Sequence, residues 1–147
     1  MATRTRENPL IAAGRWLLAA IFASAGALKA WDPAATVQSL AHYHLLPAGL
    51  ATWGGLYVPW LELAGAAALL TRGLRRGGWL LATLLSACFL VFTGSALLRG
   101  LDIDCGCFGT GPGVGHLPAM AALDAAMLLV SVLGLRAGIF GIRRSKS

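Results

Sequence analysis

Residues 78–98 read GWLLATLLSACFLVFTGSALL, a run without a single charged side chain. An α-helix rises about 1.5 Å per residue and the hydrocarbon core of a bilayer is about 30 Å thick, so a helix formed by this run is long enough to cross it. The run lacks the strict alternation of apolar and polar residues that marks a strand of a membrane barrel. It therefore predicts a membrane-spanning helix.

Three further runs have the same character, and the composition agrees with them. Hydrophobic residues make up 57% of the 147-residue chain and charged residues 12%, with a mean hydropathy of +0.71, whereas soluble domains average about 25% charged residues. This excludes a disordered chain, a collagen or a soluble nucleic-acid binder. We predict one all-α domain over residues 1–147, a polytopic membrane protein with a four-transmembrane-helix bundle. The predicted spans are residues 10–28, 48–70, 78–98 and 117–135.

The basic residues give the chain a net charge of +6 and fall on one side of these spans. Lys and Arg gather in cytoplasmic loops. If the amino terminus is cytoplasmic, only Lys29 and Arg99 of the 12 basic residues lie outside. We therefore predict that both termini are cytoplasmic. The inner basic residues are Arg4, Arg6, Arg15, Arg72, Arg75, Arg76, Arg136, Arg143, Arg144 and Lys146.

The first external segment predicts a short helix lying on the membrane interface. Asp32 can cap this helix and Pro33 can occupy its first turn. Its apolar side is expected to contain Ala34, Val37, Leu40 and Ala41. The nearby histidines His42 and His44 are two positions apart and do not share a helical face, so their spacing gives little support for a metal site. We expect them to be polar residues at the headgroup boundary.

The second external segment, residues 99–116, carries the chemistry. Its centre reads DIDCGCFG over residues 102–109 and contains the pair Cys105 and Cys107. The intervening glycine lets the two thiols approach bonding distance, although so small a ring is expected to be strained. Because closing a short loop removes little chain entropy, an external pair of this kind suits disulfide exchange better than structural cross-linking.

Two other interpretations of this segment stay open. Cys105 and Cys107, flanked by Asp102, Asp104 and His116, could bind copper or zinc, although the usual zinc arrangement needs a second paired half. The cysteines could also be structural, in a membrane scaffold without redox activity. The negative charge of the two aspartates disfavours a neighbouring thiolate, unless Arg99 or His116 offsets it.

Ionisable residues inside the spans are a second group of candidates. Glu62 lies well inside the second span, where an unpaired carboxylate is costly. Counted from the cytoplasmic ends, Arg15 and Glu62 lie at similar depths, which predicts an ion pair between them. Asp124 lies nearer the outside, where it can meet Lys29. The lone Cys88 is expected to be a small buried apolar residue.

Together these features resemble the MauE branch of the MauE/DoxX family of small redox-associated membrane proteins. The most specific element is DCGCFG at residues 104–109, after the third span. The resemblance runs from about Arg15 to Met127. Shorter matching segments are residues 22–29, 32–33, 46–47 and 59–62.

The resemblance implies a bacterial inner-membrane protein that assists maturation of an exported, disulfide-containing enzyme. In the family's best-known case this client is the small subunit of methylamine dehydrogenase. Cys105 and Cys107, on a periplasmic loop, are then expected to exchange disulfides with a periplasmic thioredoxin-like partner. Because related four-helix redox proteins use a quinone, a quinone between the helices could be the ultimate electron acceptor or donor, although no residue here specifies a quinone site. The client, the direction of electron flow and whether the chain is itself a thiol–disulfide oxidoreductase stay open.

Overall fold

The structure is a computed structural model that describes residues 8–100 and 117–143. These residues form five α-helices and no strand, which confirms the all-helical prediction for this part of the chain. The helices are α1 (Pro9–Trp31), α2 (Pro33–His42), α3 (Ala48–Leu70), α4 (Arg75–Leu98) and α5 (Leu117–Arg143). The four long helices fall on the four predicted apolar runs, and α5 continues beyond its predicted end at residue 135.

The boundary between α1 and α2 follows from side-chain caps. Asn8 accepts a hydrogen bond from the Leu10 amide at the start of α1. Asp32 ends α1 and caps α2, because its carboxylate accepts from the Ala35 amide at 3.0 Å. Pro33 occupies the first turn of α2. These contacts confirm the predicted roles of Asp32 and Pro33.

Of the four residues predicted for the apolar side of α2, Val37 and Leu40 contact α3. Ala34 and Ala41 are exposed, whereas Thr36 and Ser39 are buried. The reason is that Thr36 Oγ1 lies 3.1 Å from the Asp32 carbonyl oxygen and 3.3 Å from the Lys29 carbonyl oxygen. Its single hydrogen bonds to the end of α1 and holds this side of α2 there. Apolar periodicity alone does not register such a polar contact.

α2 packs on α3 at two consecutive glycines, Gly54 and Gly55. A Cβ atom on Gly55 would lie 2.8 Å from Val37 Cα, and one on Gly54 would lie 2.9 Å from a Leu40 methyl group. Only glycine permits such a close approach of the two helices. Arg99, at the end of α4, also contacts the end of α2, because its side chain donates to the Tyr43 carbonyl oxygen at 2.9 Å.

The long helices pack as antiparallel neighbours along the chain. α1 lies against α3, α3 against α4, and α4 against α5, while α5 also contacts α1. Close contacts at both ends of the α1–α3 pair show their opposite directions: Arg15 bonds to Leu69, and Gly26 lies against Pro59. The ends of α4 and α5 that flank residues 101–116 therefore lie on the same side as the carboxyl-terminal end of α1.

Polar residues are buried in this fold and large apolar residues are exposed. The buried polar side chains include Lys29, Glu62, Thr93 and Asp124, whereas Trp16, Leu84 and Leu129 are at least 59% exposed. A soluble protein rarely exposes so much contiguous apolar surface. This distribution fits helices that face lipid with their apolar residues and pack against one another through smaller and polar ones.

Three of the described helices are long and apolar enough to cross a membrane. They are α1, α4 and residues 117–138 of α5. α3 has 23 residues but is not among them, since Glu62, Pro59 and several aromatic side chains lower its mean hydropathy. The structure thus shows three candidate spans of the predicted four.

Candidate functional site

Three ionisable side chains from different helices line one cavity, in the half of the fold that contains the carboxyl-terminal end of α1. They are Lys29 of α1, Glu62 of α3 and Asp124 of α5. Their exposed fractions are 7%, 0% and 5%, so all three are withdrawn from the surroundings. Ionisable residues buried within apolar helices mark functional sites more often than not. This cluster is the candidate site of the described residues.

The centre of the cluster is an ion pair between Lys29 and Glu62. Lys29 Nζ donates to Glu62 Oε1 at 2.5 Å. The ammonium group also lies 4.6 Å from the ring centroid of Phe89, which is a favourable cation–π distance. The second carboxylate oxygen, Glu62 Oε2, is buried and has no hydrogen-bond partner among the described residues.

The direction of side chains along helices explains why Lys29 reaches Glu62. The Cα–Cβ bonds of a helix tilt toward its amino terminus. In the antiparallel pair α1 and α3, the side chain of Lys29 therefore leans toward the amino-terminal end of α1 and that of Glu62 toward the amino-terminal end of α3, so the two converge. Gly26 brings the helices together at this level, since a Cβ atom there would lie 2.9 Å from the Pro59 carbonyl oxygen.

The predicted ion pair between Arg15 and Glu62 is wrong. Glu62 pairs with Lys29, and Arg15 Nη1 donates to the Leu69 carbonyl at 3.1 Å. Leu69 lies seven residues, or roughly 10 Å, beyond Glu62 on α3. Counting from the predicted helix ends suggested the pair, but Glu62 lies against Gly26, which is eleven residues, or roughly 16 Å, from Arg15 along α1.

The polar contacts of Asp124 centre on Thr93 of α4. Thr93 Oγ1 lies 2.8 Å from Asp124 Oδ2 and 2.8 Å from the Phe89 carbonyl oxygen. The structure places Asp124 and Lys29 in the same cavity, as the sequence suggested, but the hydrogen-bond partner of Asp124 is Thr93. Sequence reasoning missed this partner, because a threonine within an apolar run has no distinctive pattern.

Two cavities adjoin the cluster, and Lys29 and Phe89 line both. The first has an empty volume of about 330 Å³, including its open side. The three ionisable groups line it, and its other walls are apolar residues such as Phe22 and Met127. The second is a cleft of about 500 Å³, also including its open side, between α2, α3 and α4. The residues with hydroxyl groups that line this cleft are Thr36, Tyr43 and Thr93.

Cys88 also lines the second cleft, and its predicted burial is wrong. The Cys88 residue is exposed, and its thiol forms no disulfide among the described residues. Ser86 and Leu85, on the neighbouring face of α4, are the residues that turn toward the core. Hydrophobic runs such as residues 87–91 do not reveal which face of a helix meets lipid, so sequence alone could not place this thiol.

The remaining candidate residues lie outside the described part of the chain. These are Cys105 and Cys107 with Asp102, Asp104 and His116. The structure describes only the helix ends on either side, at Arg99 and Leu117. Within residues 8–100 and 117–143, no group of three His, Cys, Asp or Glu side chains could hold a metal ion.

The fold and the buried cluster define a helical, multi-pass class of membrane protein. A family model described as methylamine utilisation protein MauE matches residues 7–137, which is most of the chain. The chain therefore belongs to the MauE family. Searches of curated proteins and of solved structures gave no match.

Proposed function

We propose that this chain is an inner-membrane maturation factor that exchanges disulfides through Cys105 and Cys107. The observation that carries the proposal is family membership over residues 7–137, together with the Cys-Gly-Cys segment that lies within that match. Membership supports a membrane protein associated with methylamine utilisation. The cysteine pair supplies the only closely spaced thiols in a chain with 3 cysteines.

The proposal includes four membrane spans, with α3 as the fourth. α3 packs antiparallel to α1 from the level of Leu69 to that of Pro59. It therefore covers the same depth as α1, which is long and apolar enough to cross a membrane. Its exposed residues Tyr57 and Trp60 add lipid-facing apolar surface. α2 then lies at the outer end, where its ten residues are too short to cross.

The proposed orientation places both termini in the cytoplasm and residues 101–116 in the periplasm. Its support is the position of the basic residues, since Arg72, Arg75 and Arg76 all lie at the turn between α3 and α4. The opposite end of the fold has Lys29, which is buried, and Arg99. A periplasmic loop is in a compartment where disulfides form and persist.

The proposed partner is a periplasmic thioredoxin-like protein. One thiolate of the pair attacks a disulfide of the partner, which forms a mixed disulfide and releases one partner thiolate. The second cysteine then attacks the first, closing the Cys105–Cys107 disulfide and releasing the partner as a dithiol. The chain loses two electrons, the partner gains them, and two protons pass from chain thiols to partner thiols. The reverse reaction passes through the same mixed disulfide.

The proposed client is an exported enzyme whose disulfides the partner makes or rearranges. In methylamine-utilising bacteria, membership of this family points to methylamine dehydrogenase and its small subunit. No feature of the described residues identifies the client, so we propose the disulfide exchange and not a particular client. The lipid bilayer is the other proposed partner.

Thiol trapping of single-cysteine variants tests this function. Cys107→Ala and Cys105→Ala are expressed in cells in a Cys88→Ala background, and free thiols are quenched with acid before electrophoresis. At least one variant is expected to accumulate a mixed disulfide with a periplasmic protein, because the resolving cysteine is absent. The variant that lacks all three cysteines is the control. No mixed disulfide in either variant would contradict the proposal, and stoichiometric copper or zinc on the purified protein would favour metal binding instead.

A further inference from the structure

The charges of the buried cluster do not balance if every group is ionised. One ammonium, that of Lys29, faces two carboxyl groups, those of Glu62 and Asp124, in a cavity with apolar walls. No other charged side chain of the described residues lines this cavity: α4 contributes Phe89 to its lining and Thr93 to the contact with Asp124, and the thiol of Cys88 lines the neighbouring cleft. A net charge in such surroundings is costly, and one bound proton would remove it.

The surroundings of Thr93 show where that proton resides. A threonine hydroxyl has one hydrogen to donate, whereas a carbonyl oxygen and an ionised carboxylate can only accept. Thr93 Oγ1 lies 2.8 Å from the Phe89 carbonyl oxygen and 2.8 Å from Asp124 Oδ2. If Asp124 were ionised, these two acceptors would share a single hydrogen.

If Asp124 is neutral, the Asp124 carboxyl group, the Thr93 hydroxyl and the Phe89 carbonyl oxygen can all form hydrogen bonds. Its O–H donates to Thr93 Oγ1, and Thr93 donates its own hydrogen to the Phe89 carbonyl, which is the usual back-bond of threonine within a helix. Hydrogen atoms are assigned from such networks rather than located directly. The distances around Thr93 therefore favour the carboxylic acid form of Asp124.

Glu62 is the other carboxyl group that could hold the proton, but its contacts favour the ionised form. Glu62 Oε1 accepts from the Lys29 ammonium, an interaction that favours the ionised carboxylate. A proton on the other oxygen, Glu62 Oε2, would have no acceptor among the described residues. A buried hydroxyl without an acceptor is unfavourable.

We propose that Lys29, Glu62 and Asp124 form a proton-binding site, in which Asp124 holds one exchangeable proton beside an ionised Lys29–Glu62 pair. The cavity next to Asp124 has an open side, so the carboxyl group is not sealed within the fold. Release of the proton leaves two carboxylates to compete for one ammonium. The site thus stores one proton in the outer half of the fold, independently of any chemistry at Cys105 and Cys107.

Two matched amide variants test the assignment of the proton. Asp124→Asn replaces a neutral acid by a neutral amide that can still donate to Thr93, so its melting temperature is expected to stay within about 3 °C of the parent protein. Glu62→Gln leaves the Lys29 ammonium buried without a counter-ion, and its melting temperature is expected to fall by roughly 6 °C or more. The reverse order would overturn the proposal, because it would make Asp124 the ionised carboxylate.

Infrared spectroscopy of the same full-length proteins measures the proton directly, even if a variant is unstable. The chain has only 6 Asp and Glu residues, so the carbonyl band of one neutral carboxyl group at pH 7 can be assigned. An ester-free detergent avoids overlap with lipid. We expect the band to be absent in Asp124→Asn, to shift in Thr93→Val and to shift on transfer to D₂O. Absence of the band in the parent protein, its persistence in Asp124→Asn, or no shift in D₂O after hours would overturn the proposal.

Discussion

Lys29 Nζ lies 2.5 Å from Glu62 Oε1, so an ion pair joins the carboxyl-terminal end of α1 to the middle of α3. Both side chains are buried, and apart from Asp124 the cavity that they line has apolar or aromatic walls. A buried charge that loses its partner is far less stable than the pair. Each of the two residues therefore depends on the other.

A double-mutant cycle tests this dependence. Lys29→Met and Glu62→Leu are each expected to reduce the free energy of unfolding by about 3–5 kcal/mol, because each leaves one buried charge unpaired. The double variant is expected to lose clearly less than the sum of these values. Unfolding in mixed micelles measures all four proteins. Additive losses would contradict a direct pair.

Gly78 and Gly77 provide a matched pair for the contact of α3 with α4. A Cβ atom on Gly78 would lie 2.6 Å from the Leu69 amide nitrogen, whereas one on Gly77 meets nothing within 4 Å. Gly78→Ala is expected to destabilise the protein by about 1–3 kcal/mol, since backbone cannot move aside cheaply. Gly77→Ala is expected to be neutral or to stabilise the helix by up to about 1 kcal/mol. Equal effects in thermal unfolding would be evidence against this packing.

Docking of α2 on α3 depends on Gly55. A Cβ atom there would lie 2.9 Å from the Val37 amide nitrogen, so Gly55→Ala is expected to push α2 outward. Amide hydrogen exchange in α2, followed by mass spectrometry, should then rise at least several-fold, because its contacts loosen. Gly49→Ala is the control, since nothing lies within 4 Å of that position. Unchanged exchange in Gly55→Ala would contradict the observed docking.

The exposed thiol of Cys88 leads to a prediction opposite to that for a core residue. A lipid-soluble maleimide is expected to label Cys88 in the folded protein, because the thiol lies at the surface of α4. Cys88→Ala is expected to change the free energy of unfolding by no more than about 0.5 kcal/mol. Protection from the reagent, or a loss of several kcal/mol, would place the thiol in the core.

The positions of the helices could be predicted from sequence because long apolar runs and their caps are local signals. The Asp32-Pro33 pair, for example, locates the break between α1 and α2. The family could also be identified, since residues 104–109 are specific. Those predictions depend on residues close together in the chain.

The ion pairing could not be predicted from depths counted from the helix ends, because such counts do not fix how two neighbouring helices are aligned. Arg15 lies at the level of Leu69, whereas Glu62 lies against Gly26 and pairs with Lys29. The exposure of Cys88 was missed for a related reason: in an apolar run, neither face is marked as lipid-facing. The contact of Asp124 with Thr93 needs the rotation of two helices, which only tertiary packing fixes.

The most direct test of disulfide exchange measures the side and the oxidation state of Cys105 and Cys107. Spheroplasts of cells that express the Cys88→Ala protein are treated with a membrane-impermeant maleimide, with and without prior reduction. The account predicts that both thiols react from outside after reduction, and that a measurable fraction is protected as a disulfide before it. Labelling only after the membrane is opened, or full labelling without reduction under every growth condition, would contradict it.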